Sequence, residues 1–303
     1  MLSAGDRLID RYRVLELLGR GGMGEVWSAQ RLADGHRVAI KVLLEKALRR
    51  RDIVKRFERE AEAASRIRSP HVCALLDTGL TRDGAMFLVF ELLRGESLAD
   101  RLRRESFLPF DEVAAMLLDV LRGIADAHEA SVLHRDLKPG NIFVTGAGSG
   151  EERSVILDFG VSKLIDHVRT VDEPSLTAFD GTVGSFAYMA PEQVRGAARV
   201  DGRADIYGAG AVAFRALTGR LPFEGISARM VASLKLERNA PSLGTVTGCR
   251  WPRLIEEFFA RVLARAAEDR FSSAAEALDA LGRLVEAIGW VRSRCAHRLR
   301  DVD

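Results

Sequence analysis

The sequence predicts an α+β protein in which a small, sheet-rich N-terminal part precedes a larger, mainly helical part. Residues 11–43 contain runs of β-forming side chains separated by glycine-rich turns, and residues 87–93 form a further apolar run of strand length. From Leu98 onward, apolar residues recur at the helical period over four segments, which two short strand signals interrupt. A chain of this length can bury a large core without disulfides or structural metals.

The composition excludes several classes of protein. Of the 303 residues, 47% are hydrophobic, as in folded globular chains, and the formal net charge of +2 argues against a dedicated nucleic-acid binder. The three cysteines are far apart and lack metal-ligand spacing, so we expect a reduced, cytoplasmic protein without disulfides or a zinc site. No apolar run approaches the ~18–20 residues of a membrane helix, and we expect no membrane segment.

A change in pattern divides the chain. The segment LRGES at 93–97 separates the last strand of the N-terminal part from the first helix, and we expect a hinge there. We therefore expect an N-terminal lobe at 1–92 and a C-terminal lobe at 93–288, followed by a short basic tail at 289–303. Within the N-terminal lobe, the apolar periodicity predicts one helix at 52–67.

Three glycines between the first two predicted strands form the pattern G-x-G-x-x-G. Gly19, Gly21 and Gly24 are followed by Val26 in a β-like run, so the pattern indicates strand, turn and strand rather than the strand, loop and helix of a dinucleotide site. Because glycine lets backbone amides approach a phosphate closely, this turn predicts a lid over phosphates. An ordinary glycine hairpin fits the same pattern, and the glycines alone do not separate the two interpretations.

Two opposite charges fall at positions where burial is expected. Lys41 interrupts the apolar strand VAIKVLL, and an ammonium group there is costly unless it meets an anion. On the helix predicted at 52–67, Glu60 lies in the middle of the apolar face, whereas Glu58 and Glu62 point away from it. We therefore predict a Lys41–Glu60 ion pair, which either is purely structural or also serves to bind phosphate.

The segment HRDLKPGN at 134–141 places four ionisable groups between two apolar strand signals. VAIK at 38–41, DFG at 158–160 and APE at 190–192 accompany it, and the glycine pattern precedes all four. In this order the motifs resemble those of the Hanks-type protein kinases, in which HRDLKPGN is the catalytic loop. The resemblance covers roughly residues 10–288 and is strongest to bacterial members of that family.

The resemblance implies a two-lobed protein-kinase fold, with a small antiparallel β-sheet N-lobe that carries one key helix and a larger, mainly helical C-lobe. It also implies an ATP-dependent protein kinase, a phosphotransferase that uses Mg²⁺ and accepts Mn²⁺ as a substitute. Protein substrates are implied, together with transient self-association for autophosphorylation.

The family's catalytic roles are implied for residues of the matching motifs. Asp136 would orient the substrate hydroxyl and accept its proton, and Lys138 would neutralise the transferred phosphate. Asn141 and Asp158 would be the metal ligands, because their hard oxygen atoms suit Mg²⁺. Lys41 would reach the α- and β-phosphates. The implied ATP-binding residues are Leu18, Gly19, Arg20, Gly21, Gly22, Met23, Gly24, Val26, Ala39, Lys41, Glu60, Glu91, Leu93 and Phe143.

The resemblance also implies a hydroxyl specificity and a form of regulation. Lys138 followed by Pro139 is similar to the serine/threonine branch of the family. Arg135 precedes the catalytic aspartate, which implies control by a phosphate on the segment between DFG and APE. Thr177, and then Thr182, are the favoured acceptors of that phosphate.

Further positions are implied to be structural. His134 and Phe159 would pack in a hydrophobic spine. Asp205 would accept backbone amides of the catalytic loop, and Arg270 would pair with Glu192. The backbone from Glu91 to Leu93 would bind adenine, with Phe90 closing the back of the pocket.

Two other functions compete with a protein kinase. A pseudokinase would bind nucleotide or partners without transferring phosphate, but Lys41, Glu60, Asp136, Asn141 and Asp158 are all present. A small-molecule kinase of related fold is disfavoured by the complete glycine pattern and the APE segment. A phosphoryl-transfer assay with protein substrates separates all three functions.

Overall fold

A computed structural model of the chain describes a small sheet lobe followed by a larger helical lobe. This architecture confirms the predicted fold class. The structure describes residues 3–21, 24–43, 58–59, 61–81, 84–146, 152–159, 186–196 and 200–298.

The N-terminal lobe is built on an antiparallel six-stranded sheet with the order β1-β2-β3-β4-β6-β5. Its central strands are β-former-rich and bury alternate or consecutive side chains, which is why they form the middle of the sheet. The strands are β1 (Arg7–Leu8), β2 (Tyr12–Gly21), β3 (Gly24–Arg31), β4 (Arg37–Leu43), β5 (Leu75–Leu80) and β6 (Met86–Glu91).

The glycine pattern lies on the β2–β3 hairpin, as predicted. Gly21 pairs with Gly24, so the two strands run up to residues 22–23, which lie outside the described residues. Gly24 has a φ of +153°, and a Cβ atom at this position would collide with the Val42 carbonyl of β4. Only glycine therefore allows the β2–β3 hairpin to approach β4 this closely.

The helix predicted at 52–67 is described in part. Residues 58–59 and 61–65 are helical. Ala61 and Ile67 are buried, whereas Glu58 and Glu62 are exposed, as the apolar periodicity predicts.

A second, three-stranded sheet joins the two lobes. It has the order β7-β8-β9 and comprises β7 (Gly95–Ser97), β8 (Ile142–Thr145) and β9 (Arg153–Ile156). The Ile156 amide donates to the His71 carbonyl at 2.9 Å, and the Ile156 carbonyl accepts from the Cys73 amide at 2.9 Å. The backbone of the N-terminal lobe is thereby tied to the strand that leads directly into Asp158.

The C-terminal lobe packs around one central helix. Nearly every residue of α4 is buried, and its glycine and alanine residues let the surrounding helices approach closely. The helices are α1 (Leu98–Glu105), α2 (Phe110–Glu129), α3 (Pro191–Val194), α4 (Arg203–Thr218), α5 (Ala228–Glu237), α6 (Leu243–Thr247), α7 (Arg253–Val262) and α8 (Ala274–Arg298).

Among the described residues, no helix has both the length and the apolar composition that a membrane span requires.

We expect Gly210→Ala in α4 to lower the free energy of unfolding, although alanine favours a helix by about 1 kcal/mol over glycine. An added Cβ atom would lie 2.7 Å from Val262 Cγ1 and 3.0 Å from Cγ2 on α7, and overpacking a core costs about 1–3 kcal/mol.

Gly282→Ala in α8 is the matched control, because nothing lies within 4 Å of its added Cβ atom. Urea unfolding of both variants measures the difference, which we expect to be about 1–3 kcal/mol in favour of Gly282→Ala. Equal stabilisation by both substitutions would show that α4 and α7 are not in close contact.

Candidate active site

The catalytic loop is fixed to the core by Asp205, in the first turn of α4. The Asp205 side chain is 1% exposed. Its Oδ2 accepts the His134 amide at 2.9 Å, and its Oδ1 accepts the Arg135 amide at 2.7 Å. The predicted role of this buried acid is confirmed, and the loop begins from a fixed point on the central helix.

A third donor completes the environment of Asp205. His128, in the last turn of α2, places Nε2 at 2.9 Å from Asp205 Oδ2. Burial alone would raise the pKa of Asp205, but the hydrogen bond and charge of His128, together with the backbone amide of His134, hold the pKa below its ordinary value. Asp205 therefore stays ionised in the core at neutral pH.

His134 links the loop to the strand before Asp158. Its Nδ1 accepts the Asp136 amide at 3.2 Å, so Nε2 carries the proton and donates to the Leu157 carbonyl at 2.8 Å. The His134 ring also packs edge-on against Phe159, with 4.8 Å between ring centroids. The predicted packing of these two rings is confirmed, and the hydrogen bonds give His134 a positioning role as well.

Two side chains of the catalytic loop converge on Asp136. Lys138 Nζ donates to Asp136 Oδ2 at 2.7 Å. Asn141 Nδ2 donates to the Asp136 carbonyl at 2.8 Å and lies 3.4 Å from Oδ2. The structure thus holds a carboxylate beside a cation, in a loop whose backbone is already fixed.

Lys41 of the N-terminal lobe pairs with Asp158 of the C-terminal lobe. The distance from Lys41 Nζ to Asp158 Oδ2 is 2.7 Å, and the Lys41 side chain is only 10% exposed. The predicted partner, Glu60, lies outside the described residues. The expectation that Lys41 needs an anion is therefore met by a carboxylate that the sequence analysis had placed among the metal ligands.

Two non-glycine residues of the site have left-handed backbones. Arg135 has a φ of +65° and Asp158 a φ of +60°. Such conformations are costly for L-residues, and they persist where surrounding bonds over-determine them. Asp205 holds the backbone amide of Arg135, whereas Lys41 holds the side chain of Asp158.

Asn141 and Asp158 are suited to hold a divalent cation. Because Asn141 Nδ2 is engaged by Asp136, its amide oxygen remains as the atom that can coordinate a metal. Asp158 Oδ2 bonds Lys41, which leaves its second oxygen. Both donors are hard oxygen atoms, which fit Mg²⁺ or Mn²⁺ better than a soft metal.

The strand register aligns predicted ATP-binding residues on one face of the N-terminal sheet. Val26 on β3 lies opposite both Gly19 on β2 and Lys41 on β4. Ala39, two residues before Lys41, lies opposite Phe90 on β6. Residues that pair directly or lie two apart share a face of a sheet, so the register gathers these five positions.

The other predicted ATP-binding positions are more scattered. Leu18 on β2 is 49% exposed, and Arg20 pairs with the buried Glu25 at 3.0 Å. Phe143 lies on β8 in the second sheet. Gly22 and Met23 lie outside the described residues.

The backbone predicted to bind adenine, from Glu91 to Leu93, already has hydrogen-bond partners at Glu91. The Glu91 amide donates to the Ala74 carbonyl at 3.1 Å, while Glu91 Oε1 accepts the Ala74 amide at 2.9 Å. The Glu91 carbonyl also accepts the Cys73 thiol at 3.8 Å, which leaves its second lone pair for an adenine ring, whereas the Glu91 amide is committed to Ala74. Leu93 lies two residues further, before β7.

The APE segment is anchored by a buried ion pair, as predicted. Arg270 Nη1 and Nη2 donate to the two carboxylate oxygens of Glu192 at 2.7 and 2.8 Å. The Arg270 side chain is fully buried, and it also bonds the carbonyls of Ala264, Arg203 and Arg265. A bidentate pair with this many additional bonds fixes α3 against the core.

Lys235 on α5 is a buried anchor that the sequence analysis missed. It is 1% exposed, and its Nζ donates to the carbonyls of Ala187 at 2.7 Å and Met189 at 2.6 Å. Nζ also lies 5.3 Å from the ring centroid of Tyr207 on α4. Among the described residues, no carboxylate pairs with it. Val231, four residues earlier and buried, was the signal that α5 turns this face inward.

Two other residues of the site were missed. Gln193 on α3 bonds the backbone of the catalytic loop, and His128 bonds Asp205. Neither position has a sequence pattern of its own, because each acts through a residue far away in the chain.

Comparisons with known proteins place this arrangement in a family. A family model described as "Protein kinase domain" matches residues 12–280. Serine/threonine-protein kinase pkn3 of Myxococcus xanthus is 38% identical over 271 residues, which span 89% of this chain and 49% of that protein. Serine/threonine-protein kinase PknF of Mycobacterium tuberculosis is 34% identical over 282 residues, spanning 92% of this chain and 57% of that protein.

A solved structure has the same architecture. The kinase domain of Mycobacterium tuberculosis PknI superposes with a TM-score of 0.70 at 28% sequence identity, and the match covers 93% of this chain and 99% of that one. These matches confirm the resemblance and the two-lobed fold. The chain spans about half the length of the curated relatives named above.

We expect the stability of the protein to rise with pH above neutrality because of Lys235. Burial lowers the pKa of Lys235 to about 7, against the two carbonyls and the ring, which favour the ammonium form. From about pH 7 to the ordinary lysine pKa of 10.5, the unfolded chain binds a proton that the folded chain has released. Lys235 should therefore add to the unfolding free energy at most about 1.4 kcal/mol per pH unit in this window.

The measurement is urea unfolding at pH 6 to 10 of the wild type and of Lys235→Met. The unfolding free energy of the wild type minus that of Lys235→Met should rise with pH, because only the wild type titrates at this position. Arg229→Met, which removes an exposed cation from the same helix, should show no such trend. A constant difference across the range would contradict the lowered pKa.

Proposed function

The chain belongs to the protein kinase family, and we propose that it transfers the γ-phosphate of ATP to serine and threonine hydroxyls of proteins. The observation that carries the proposal is the pairing of Asp136 with Lys138 beside Asn141, on a loop that Asp205 holds in place. A second pair, Lys41 with Asp158, supplies a phosphate-binding cation and a metal-binding carboxylate.

We assign the proton transfer to Asp136. Its carboxylate orients the substrate hydroxyl and takes its proton while the hydroxyl oxygen bonds the γ-phosphorus and the bond to the ADP oxygen breaks. Lys138, 2.7 Å from Asp136, lies close enough to neutralise charge on the transferred group. Both side chains are partly buried, which strengthens these interactions relative to bulk water.

Asn141 and Asp158 would hold Mg²⁺, with Mn²⁺ as a substitute. The ion supplies charge neutralisation for the phosphate oxygens when it is bound. Lys41 would exchange its bond to Asp158 for the α- and β-phosphates, freeing that carboxylate for the metal. The rest of the nucleotide would be held by the glycine lid, the sheet face around Val26 and the backbone from Glu91 to Leu93.

The boundaries that we propose for the functional lobes are those predicted from the sequence. The ATP-binding lobe comprises residues 1–92, the catalytic and substrate-binding lobe residues 93–288, and the basic tail residues 289–303. Protein substrates are proposed on the strength of the family, whereas a cytoplasmic location remains a prediction from the cysteine content.

Control of activity by phosphorylation is supported by Arg135. Its Nε atom is buried and has no hydrogen-bond partner among the described residues. A phosphate on Thr177 or Thr182 would provide an acceptor and would neutralise the guanidinium group. Both threonines lie outside the described residues. Phosphorylation of one copy of the chain by another requires transient self-association, which we propose as part of activation.

Asp136→Asn should reduce kcat by about 10²–10⁴-fold, because the amide cannot accept the hydroxyl proton. The KM for ATP should change little, since Asp136 lies on the hydroxyl side of the reaction. Transfer of ³²P from ATP to a generic protein substrate measures both constants.

Asp279→Asn, at an exposed position of α8, is the matched control and should leave both constants unchanged. A wild-type protein that binds ATP but transfers no phosphate would instead indicate a nucleotide-binding switch. Transfer to a small molecule but to no protein would indicate a small-molecule kinase.

Incubation with ATP and Mg²⁺ should place phosphate on Thr177 or Thr182, and mass spectrometry of proteolytic peptides detects it. Replacing the threonine that carries the phosphate, by Thr177→Ala or Thr182→Ala, should lower kcat. The Asp136→Asn protein should remain unmodified. An active enzyme without phosphate at either threonine would reject this form of regulation.

A further inference from the structure

Gln193 connects the end of the APE segment to the catalytic loop. It lies in the short helix α3, and its amide group is used at both ends. Oε1 accepts the Ala190 amide at 3.0 Å, and Nε2 donates to the Arg135 carbonyl at 2.7 Å. The first bond stabilises the start of α3, whereas the second leaves the helix and reaches a residue 58 positions earlier in the chain.

The acceptor of the second bond is adjacent to the proposed catalytic group. The Arg135 carbonyl belongs to the peptide unit that joins Arg135 to Asp136, and the amide of the same unit donates to His134 Nδ1 at 3.2 Å. Rotation of this unit would turn the Asp136 side chain, because the two share a Cα atom. Gln193 therefore bonds one of the two polar groups that set the direction of Asp136.

The backbone at this point needs such a bond. Arg135 is left-handed, with a φ of +65°, and its own amide is held by Asp205. Asp205 fixes the amide side of Arg135, and Gln193 fixes its carbonyl side. The two anchors come from different places: Asp205 from the central helix α4, and Gln193 from the helix that follows the segment between DFG and APE.

We propose that Gln193 is a positioning residue for phosphoryl transfer, which transmits the placement of α3 to the orientation of Asp136. The inference rests on the proposed function, because it takes Asp136 to be the group that accepts the proton. It predicts that loss of the Gln193–Arg135 bond lowers kcat and leaves ATP binding intact. Through α3, the same bond would connect the segment that carries Thr177 and Thr182 to the catalytic loop.

The alternative is that Gln193 only caps α3. Gln193→Glu distinguishes the two roles, because glutamate has the same shape and keeps an acceptor for the Ala190 amide. A carboxylate at the start of a helix is also favourable. It cannot donate to the Arg135 carbonyl, however, and it places an oxygen against that carbonyl. Gln193→Met loses both bonds.

Steady-state kinetics and thermal unfolding of these two variants test the proposal. We expect kcat to fall about tenfold in Gln193→Glu, a decrease at least as large as that in Gln193→Met. The KM for ATP should stay unchanged. The order of thermal stability should be the reverse, with Gln193→Glu unfolding at the higher temperature because it keeps the cap. If Gln193 only caps the helix, the kcat of Gln193→Glu would equal that of the wild type. Any loss of kcat would then be confined to Gln193→Met.

The chain contains one other glutamine, which provides a matched control. Gln30 Nε2 donates to the Gly35 carbonyl at 3.2 Å in the β3–β4 turn, so Gln30→Glu breaks the same kind of bond far from the catalytic loop. Its kcat should equal that of the wild type. Equal loss of kcat in Gln30→Glu and Gln193→Glu would overturn the proposal.

A second measurement does not depend on turnover. Hydrogen exchange of the peptide that contains Asp136 should be faster in Gln193→Glu than in the wild type, because the Asp136 amide loses its fixed geometry toward His134. Unchanged exchange together with an unchanged kcat would overturn the positioning role while the wild type remains active. A wild type without any phosphoryl transfer would overturn the proposed function itself, and this inference with it.

Discussion

The buried carboxylate of Asp205 is the interaction on which the rest of the site depends. An ionised group in a protein core is tolerated only when donors surround it, and Asp205 has the amides of His134 and Arg135 together with His128. The same bonds satisfy backbone amides in a strained part of the catalytic loop. Removing either side would leave the other buried and unsatisfied, so the central helix and the catalytic loop form one unit.

From this fixed point the site divides into rigid and exchangeable parts. His134 holds the loop and the strand before Asp158 through its two ring nitrogens. Asn141 does so through its side-chain amide and its backbone carbonyl. Lys138 and Lys41 instead pair with Asp136 and Asp158, the carboxylates that would take the substrate hydroxyl and the metal ion as partners in the proposed reaction. Lysine is suited to this exchange, because its ammonium group is a point charge on a flexible stem with no fixed bidentate geometry.

The end of the APE segment is fixed from three directions. Arg270 holds Glu192, Lys235 holds the carbonyls of Ala187 and Met189, and Gln193 reaches the catalytic loop. Buried polar groups of this kind are costly when partly satisfied and rigid when fully satisfied. The segment that follows the proposed regulatory threonines is therefore held in a defined position relative to Asp136.

The sequence by itself determined the two-part fold, the strand–turn–strand setting of the glycines, and the residue types of the catalytic loop, because periodicity and local motifs encode these directly. It also indicated that Lys41 needs an anion, and the family resemblance implied that Asp205 bonds the loop. Only the tertiary structure decided which groups meet: Lys41 with Asp158, Gln193 with the Arg135 carbonyl, and Lys235 with two carbonyls. The first two pairs are separated by 117 and 58 residues, and Lys235 lies 48 and 46 residues from Ala187 and Met189. Such contacts depend on how helices and sheets pack rather than on any local pattern.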